Sequence, residues 1–218
     1  MLLPHPRRAG STAQASFLAL LLTCDSSAHA QSEFSGPSLG AQVDFMNTST
    51  ELTFDGAPYS YGAPSQTLRL QTAYGLSLGP ETLLNLGAST QLGDVDGGRT
   101  ILNESETEIT LSRGTALYVE PAYAIHPDTV LYGKFALIQA QVELAVNDDD
   151  PSRLERKLKG QGFGLGVRHL LAPSLYLQIE FMQMNYDKTR ITSKDDPDAG
   201  LPLGIDATSA NVGLGLQF

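Results

Sequence analysis

Six ionisable residues lie where a strand would present them on its polar face: Asp44, Arg69, Glu120, Lys134, Arg168 and Glu180. Val43 and Phe45 flank the first, Leu68 and Leu70 the second, and Ile179 and Phe181 the last. Successive strand side chains point to opposite faces, so each charge shares its face with residues two positions away. The set holds three acids and three bases. Buried charges are costly unless paired and hydrogen-bonded. The chemistry open to such a set is electrostatic: a charge gate, a binding site, or an ionic core in which each group neutralises another. A hairpin turning at Pro127 places Glu120 opposite Lys134. One turning at Pro173 places Arg168 opposite Gln178, with Glu180 on the diagonal.

Other reactive types are sparse. His126 and His169 lie beside turn sequences, and neither has a serine at a spacing that suggests nucleophilic catalysis. They are expected to be polar residues at an edge, and no catalytic site is expected. Asp148-Asp149-Asp150 offers oxygen ligands suited to Ca²⁺, or to a divalent bridge to lipopolysaccharide, but reads first as a solvated loop. Arg153, Arg156, Lys157 and Lys159 follow closely and would suit anionic headgroups. Gly162, Gly164 and Gly166 alternate along one strand face with no helix after them, so they form no phosphate-binding loop. In the expected lumen they make room for long charged side chains, as do Gly213 and Gly215. No metal and no cofactor is expected. The net charge of -10 argues against nucleic acid as a partner.

The elements that must position these residues form a repeat of architecture. Gly162–Met184 reads as two amphipathic strands around Ala172-Pro173-Ser174. Gly79-Pro80-Glu81 and His126-Pro127-Asp128 punctuate the chain in the same way. Pro80, Pro127, Pro173 and Phe218 follow one another at intervals of 47, 46 and 45 residues. Midway between them lie four polar segments, about 46–65, 93–106, 147–160 and 187–204, with loop compositions. Eight strands result, with short turns at one end and long loops at the other. The strand around Val130–Leu144 is irregular, because Lys134 shares a face with Ala136, Ile138, Ala140, Val142 and Leu144. An outward lysine at mid-bilayer would cost about 2–4 kcal/mol, so Lys134 is placed inward and a register-changing bulge is expected further along. A second bulge is expected at Pro121, which cannot donate a ladder bond.

The termini suggest where the apolar faces point. Arg7-Arg8, the apolar run Ser16–Cys24 and Ala28-His29-Ala30 read as a secretory signal, cleaved between Ala30 and Gln31. The only cysteine, Cys24, would leave with residues 1–30, so disulfides stabilise nothing in the remainder. Val212, Leu214, Leu216 and Phe218 share one face of the last strand. They resemble the C-terminal signal read by the machinery that assembles outer-membrane barrels.

With the segments GVRHLLAPSLYLQIEF and YVEPAYAIHPDTVLYGKFA, residues 31–218 resemble the small outer-membrane β-barrel family. That family includes the membrane domain of outer-membrane protein A, outer-membrane protein X and the opacity-type porin-like proteins. The resemblance implies an all-β, eight-stranded, antiparallel, up-and-down transmembrane barrel in the bacterial outer membrane. It implies a monomer among outer-membrane lipids and lipopolysaccharide, with a structural or adhesive role through surface loops that meet a host or extracellular ligand. It carries over no catalytic residue. A small-solute channel is the alternative; a lipid-modifying enzyme and a soluble ligand-binding barrel are further ones.

Overall fold

The computed structural model describes residues 33–54, 57–102, 105–147, 152–192 and 200–218. The cleavage residues Ala28, Ala30 and Gln31, the aspartates 148–150 and the tip of the last polar segment lie outside them. The strands are β1 (Gly36–Phe54), β2 (Ala57–Ser77), β3 (Thr82–Leu92), β4 (Val95–Leu102), β5 (Ser105–His126), β6 (Thr129–Asn147), β7 (Ser152–Ala172), β8 (Leu175–Tyr186), β9 (Thr189–Thr192) and β10 (Gly200–Gln217). All pairings are antiparallel, and β1 pairs with β10 from Ser38↔Gln217 to Leu52↔Leu203. The order β1-β2-β3-β5-β6-β7-β8-β10 therefore closes into a ring of eight. Closure removes the sheet edges that would otherwise invite pairing with other chains.

Ten strands occupy eight places because two places are shared. β4 continues β3 along β5 after a break at Gly93, whose φ of 97° suits glycine. β9 continues β8 along β10. Neither continuation pairs on its other side: β2 joins β3 only up to Leu68↔Leu92, and β7 joins β8 only from Gly160↔Tyr186 downward. At the far end from the three tight turns, the wall thus parts along two seams. Two four-stranded sheets result, β9-β10-β1-β2 and β4-β5-β6-β7. Ser65 Oγ accepts from the Asp96 N–H at 3.0 Å across one seam. The Asp187 N–H donates to the Lys159 carbonyl at 2.8 Å across the other.

The two ends of the barrel have opposite polarity. Towards the turns, Leu131, Phe135 and Leu137 of β6 point out while Tyr132 and Lys134 are buried inside. Further along the same strand Gln139, Gln141 and Glu143 face out, and Ile138, Ala140, Val142 and Leu144 are buried. The β6–β7 register runs unbroken from Thr129↔His169 to Val146↔Ser152. The bulge expected in this strand is therefore absent. Alternation never changes; the surroundings do. The far-end interior is one apolar cluster that joins Met46, Leu203 and Ile205 to Ile109, Val142 and Leu158.

The same inversion corrects two further expectations. Most of the four polar segments are strand rather than loop: β1 runs to Phe54, β2 starts at Ala57, and β7 starts at Ser152. Among the described side chains, Asn47, Ser49, Glu155 and Lys157 take the outward half of the alternation, while Thr48 and Thr50 are buried with Met46 and Leu158. Pro121 causes no register shift, and Glu120 and Ala122 stay buried on either side of it. The β5–β6 ladder lapses there for two residues and resumes in step, since Pro121 lacks only an N–H. The β5–β6 register shifts instead at Ala124–His126, beside the turn, and at Ser112–Thr115, where Arg113 takes a φ of 52°. The shift at Ser112–Thr115 is the one that matters inside the barrel. It switches the buried positions of β5 from Ile109 and Leu111 to Ala116, Tyr118 and Glu120.

Candidate functional site in the barrel lumen

All eight places of the ring send polar side chains to one level of the interior, which an eight-stranded barrel is just wide enough to fill. Lys134 Nζ lies 2.9 Å from Glu120 Oε1 and 2.5 Å from Glu180 Oε2. Arg168 Nη2 lies 3.3 Å from Glu120 Oε2 and donates to Gln178 Oε1 at 2.9 Å. Tyr132 and Asn211 each donate to Glu180 at 3.0 Å, and Asn85 donates to Glu120 at 3.3 Å. Gln178 donates to Gln42 at 3.2 Å, and Gln42 to Asp44 at 3.1 Å. Asp44 in turn accepts from Arg69 Nε at 2.5 Å. The six residues singled out by sequence thus belong to one continuous network. Each base in it meets at least one carboxylate.

The expected cross-strand pairs form: Glu120 meets Lys134, and Arg168 meets Gln178. The diagonal from Arg168 to Glu180 does not. Arg168 turns to Glu120, and Glu180 takes Lys134, Tyr132 and Asn211 instead. Ring curvature brings β5, β6 and β8 closer across the lumen than a flat hairpin suggests.

Three tyrosines complete the layer, and alternation alone did not single them out. Lys134 Nζ sits 4.4 Å from the Tyr118 ring centre, and Arg168 Cζ sits 4.8 Å from that of Tyr176. Cations over ring faces are stabilised most when desolvated. The lumenal glycines serve these rings more than the charged chains. A Cβ on Gly215 would lie 2.1 Å from Tyr176 Cζ, and one on Gly166 would lie 2.4 Å from Tyr132 Cζ. Gly162 and Gly164 face Met182, and Gly213 faces Gln42.

Below the network, Phe34 folds back into the turn-end mouth. It packs with Leu83, Val130, Leu170 and Tyr176 and is 1% exposed. The ionic layer therefore lies between an apolar cork and the apolar far-end core. At the turn rim, Asp128 sits 2.6 Å from His126 Nδ1 and 3.7 Å from His169 Nδ1. Thr129 Oγ1 lies 2.8 Å from Asp128 Oδ1 and 2.9 Å from His169 Nδ1. His169 thus has a hydroxyl partner that sequence spacing did not reveal. His126 is exposed at this rim, and His169 and Asp128 are half-buried. Hydrogen bonds from the Thr129 hydroxyl and from His126 hold the Asp128 carboxyl below the usual carboxylate range. Among the described residues no group of three or more metal-ligating side chains is assembled.

Residues 16–218 match the family described as the outer membrane protein beta-barrel domain. The chain belongs to the outer-membrane β-barrel family. It resides in the bacterial outer membrane, and its outward belt of Leu39, Leu86, Leu117, Leu165 and Phe181 faces lipid. The chain is similar to several solved outer-membrane proteins. Ail of Yersinia pestis is 11% identical at a TM-score of 0.44, over 83% of this chain and 99% of that one. OprG of Pseudomonas aeruginosa is 14% identical at a TM-score of 0.46, over 86% and 99%. OmpT, the outer membrane protease of Escherichia coli, is 10% identical at a TM-score of 0.48, over 84% and 96%. No curated protein sequence matches the chain. In this outer-membrane barrel, Val212, Leu214 and Leu216 lie on the lipid face of β10, and they and Phe218, just past its end, are exposed. Phe218 N–H donates to the Pro37 carbonyl at 2.9 Å, tying the strand end to β1.

Proposed function

We propose that this barrel is a non-enzymatic structural and surface-interaction protein, acting through the hairpins that rise beyond the membrane. The observation that carries this reading is the filled lumen. Phe34 closes the turn end, a charge-balanced network spans the middle, and an apolar core occupies the far end. A solute crossing the barrel would have to break buried ion pairs, and breaking one by removing a partner costs about 3–5 kcal/mol. The two far-end sheets, with polar outward faces and an apolar core, make a rigid stalk for the hairpin tips. A partner on the host or another extracellular surface would meet those tips. In this reading residues 1–30 are removed on export, residues 31–218 form one monomeric barrel domain, and Val212, Leu214, Leu216 and Phe218 are read by the assembly machinery.

Planar-bilayer recording of the purified barrel tests the closed lumen; unitary conductance steps above the empty bilayer would favour the channel instead. Intact-cell binding tests the hairpins. Replacing residues 148–151 and 193–199 with short Gly-Ser linkers should abolish binding of cells to extracellular ligands while leaving the heat-modifiable folded band in place.

A further inference from the structure

The segment before β1 enters the barrel along a path that both ends of the chain build. The Phe34 side chain is buried among Leu83, Ala122, Val130, Leu170 and Tyr176. These come from β3 and from β5 to β8. The backbone then turns at Gly36, whose φ of 95° suits glycine, and joins β1 opposite Gly75 of β2. A Cβ on Gly75 would overlap the Phe34 carbonyl oxygen, and one on Gly36 would lie 2.7 Å from the Phe218 carbonyl oxygen. The backbone of residues 34–36 is therefore seated between β2 on one side and the end of the chain on the other.

The end of β10 also holds this segment by hydrogen bonds. Gln217 Nε2 donates to the Ser35 carbonyl at 2.9 Å and to the Pro37 carbonyl at 3.2 Å. The Gln217 side chain is buried, and its backbone N–H donates to the Ser174 carbonyl at 2.9 Å, which fixes it to the last turn. The two side-chain bonds join residues 182 and 180 apart in sequence. Neither can form until β1 lies against β10, which is the pairing that closes the ring. The apolar seat of the Phe34 ring is different, since its strands pair with one another without that closure. Tyr176 packs on Phe34 and holds its own ring 4.8 Å from Arg168 Cζ. A seated Phe34 thus screens the ionic layer from the turn end.

We infer that residues 34–36 are a latch that seats only after β1 and β10 have paired, with Gln217 as its catch. Gln217 is a positioning residue: it holds the backbone that carries Phe34. Once seated, the latch bridges the strand pair that closes the ring and slows its reopening. It acts at the turn end and does not depend on what the hairpin tips meet.

Chymotrypsin cleavage after Phe34 of the folded barrel in detergent, followed by mass spectrometry, reads the latch with the native side chain in place. Cleavage of a briefly opened segment tracks how often it opens. Q217L keeps most of the volume but removes both side-chain hydrogen bonds. It should speed this cleavage about tenfold or more while the heat-modifiable folded band persists. G75A sets a methyl where the Phe34 carbonyl lies and should do the same with Gln217 intact. E33Q alters an exposed neighbour and should change nothing. When the unchanged chain refolds into micelles, folded bands sampled early should still be trimmed after Phe34, and bands sampled late should resist. Unchanged cleavage in Q217L would overturn the latch, as would an equal gain in E33Q. So would a folded band that resists trimming from its first appearance. Loss of the folded band in both Q217L and G75A would overturn it too, because a latch that follows closure is not needed for closure.

Discussion

Lys134 lies 2.5 Å from Glu180, two strands away on β8, although its hairpin register sets Glu120 directly opposite it. One ammonium therefore ties together carboxylates from both sides of the lumen. Lys134→Met would leave Glu120 with Arg168 and Asn85 and leave Glu180 with neutral donors alone. The expected loss is about 3–5 kcal/mol, read from guanidinium unfolding of the barrel in micelles. Adding Glu180→Gln to Lys134→Met should cost less than the two single changes together, because the pair couples.

Among the described residues before β1, Phe34 is the large apolar side chain sent into the turn-end mouth. Phe34→Ala should cost about 3–5 kcal/mol and lower the temperature at which the folded band disappears. Phe34→Leu keeps most of the volume and should lose much less. If Phe34→Ala left the transition temperature unchanged, the cork would be making no contribution.

Gly215 faces the Tyr176 ring so closely that no methyl fits. Gly215→Ala should destabilise the barrel by about 1–3 kcal/mol. Combining it with Tyr176→Leu should recover part of that loss, since the obstructing ring is gone. Combining it with Tyr176→Phe should recover none, because the ring carbon itself is in the way. The same unfolding titration separates these outcomes.

The turn rim has an acid-side dependence of known sign. Asp128 has its folded pKa held below the unfolded value, first by the Thr129 hydroxyl and then by His126. Its stabilising contribution is present above the unfolded pKa of about 3.9 and is lost as pH falls through the lower folded value. Amide exchange at residues 126–130 should therefore accelerate as pH drops below about 4, after correction for intrinsic exchange. Asp128→Asn should exchange faster at neutral pH and lose this extra acid-side step.

The apolar far-end core predicts a separable unit. Val142→Ala should speed amide exchange along residues 138–146 of β6 and leave residues 130–136 protected, since the ionic layer is untouched. Equal acceleration in both stretches would show that the barrel opens only as a whole.

Much of this was legible in the sequence, and the exceptions share a cause. The turns at Pro80, Pro127 and Pro173 fixed three hairpin registers, and those registers correctly paired Glu120 with Lys134 and Arg168 with Gln178. Alternation placed five of the charges on the polar face, and the cost of an outward lysine in the bilayer placed Lys134 with them. What alternation cannot give is the solvent on each side. The bulge expected beyond Lys134 came from assuming that the inner face is polar throughout, whereas Ile138, Ala140, Val142 and Leu144 are buried without any change of register. Contacts across a closed ring, such as Lys134 with Glu180, have no local signature either. Phe34 lies outside any alternating run, and at the β5 bulge the left-handed residue is Arg113 rather than its neighbour Gly114.

The polarity inversion along β6 has a mechanical consequence. Leu137 is the last large outward apolar residue of that strand and the polar Gln139 follows it on the same face, so the chain carries its own waterline. Sinking the barrel by one pair of residues would draw Gln139 into hydrocarbon, and raising it would strand Leu137 in water. Neighbouring strands mark the same height, with Phe163 below Gln161 on β7 and Phe181 below Gln183 on β8. The depth at which the barrel floats is thus written into its alternation, and the height of the stalk above the cell surface follows from it.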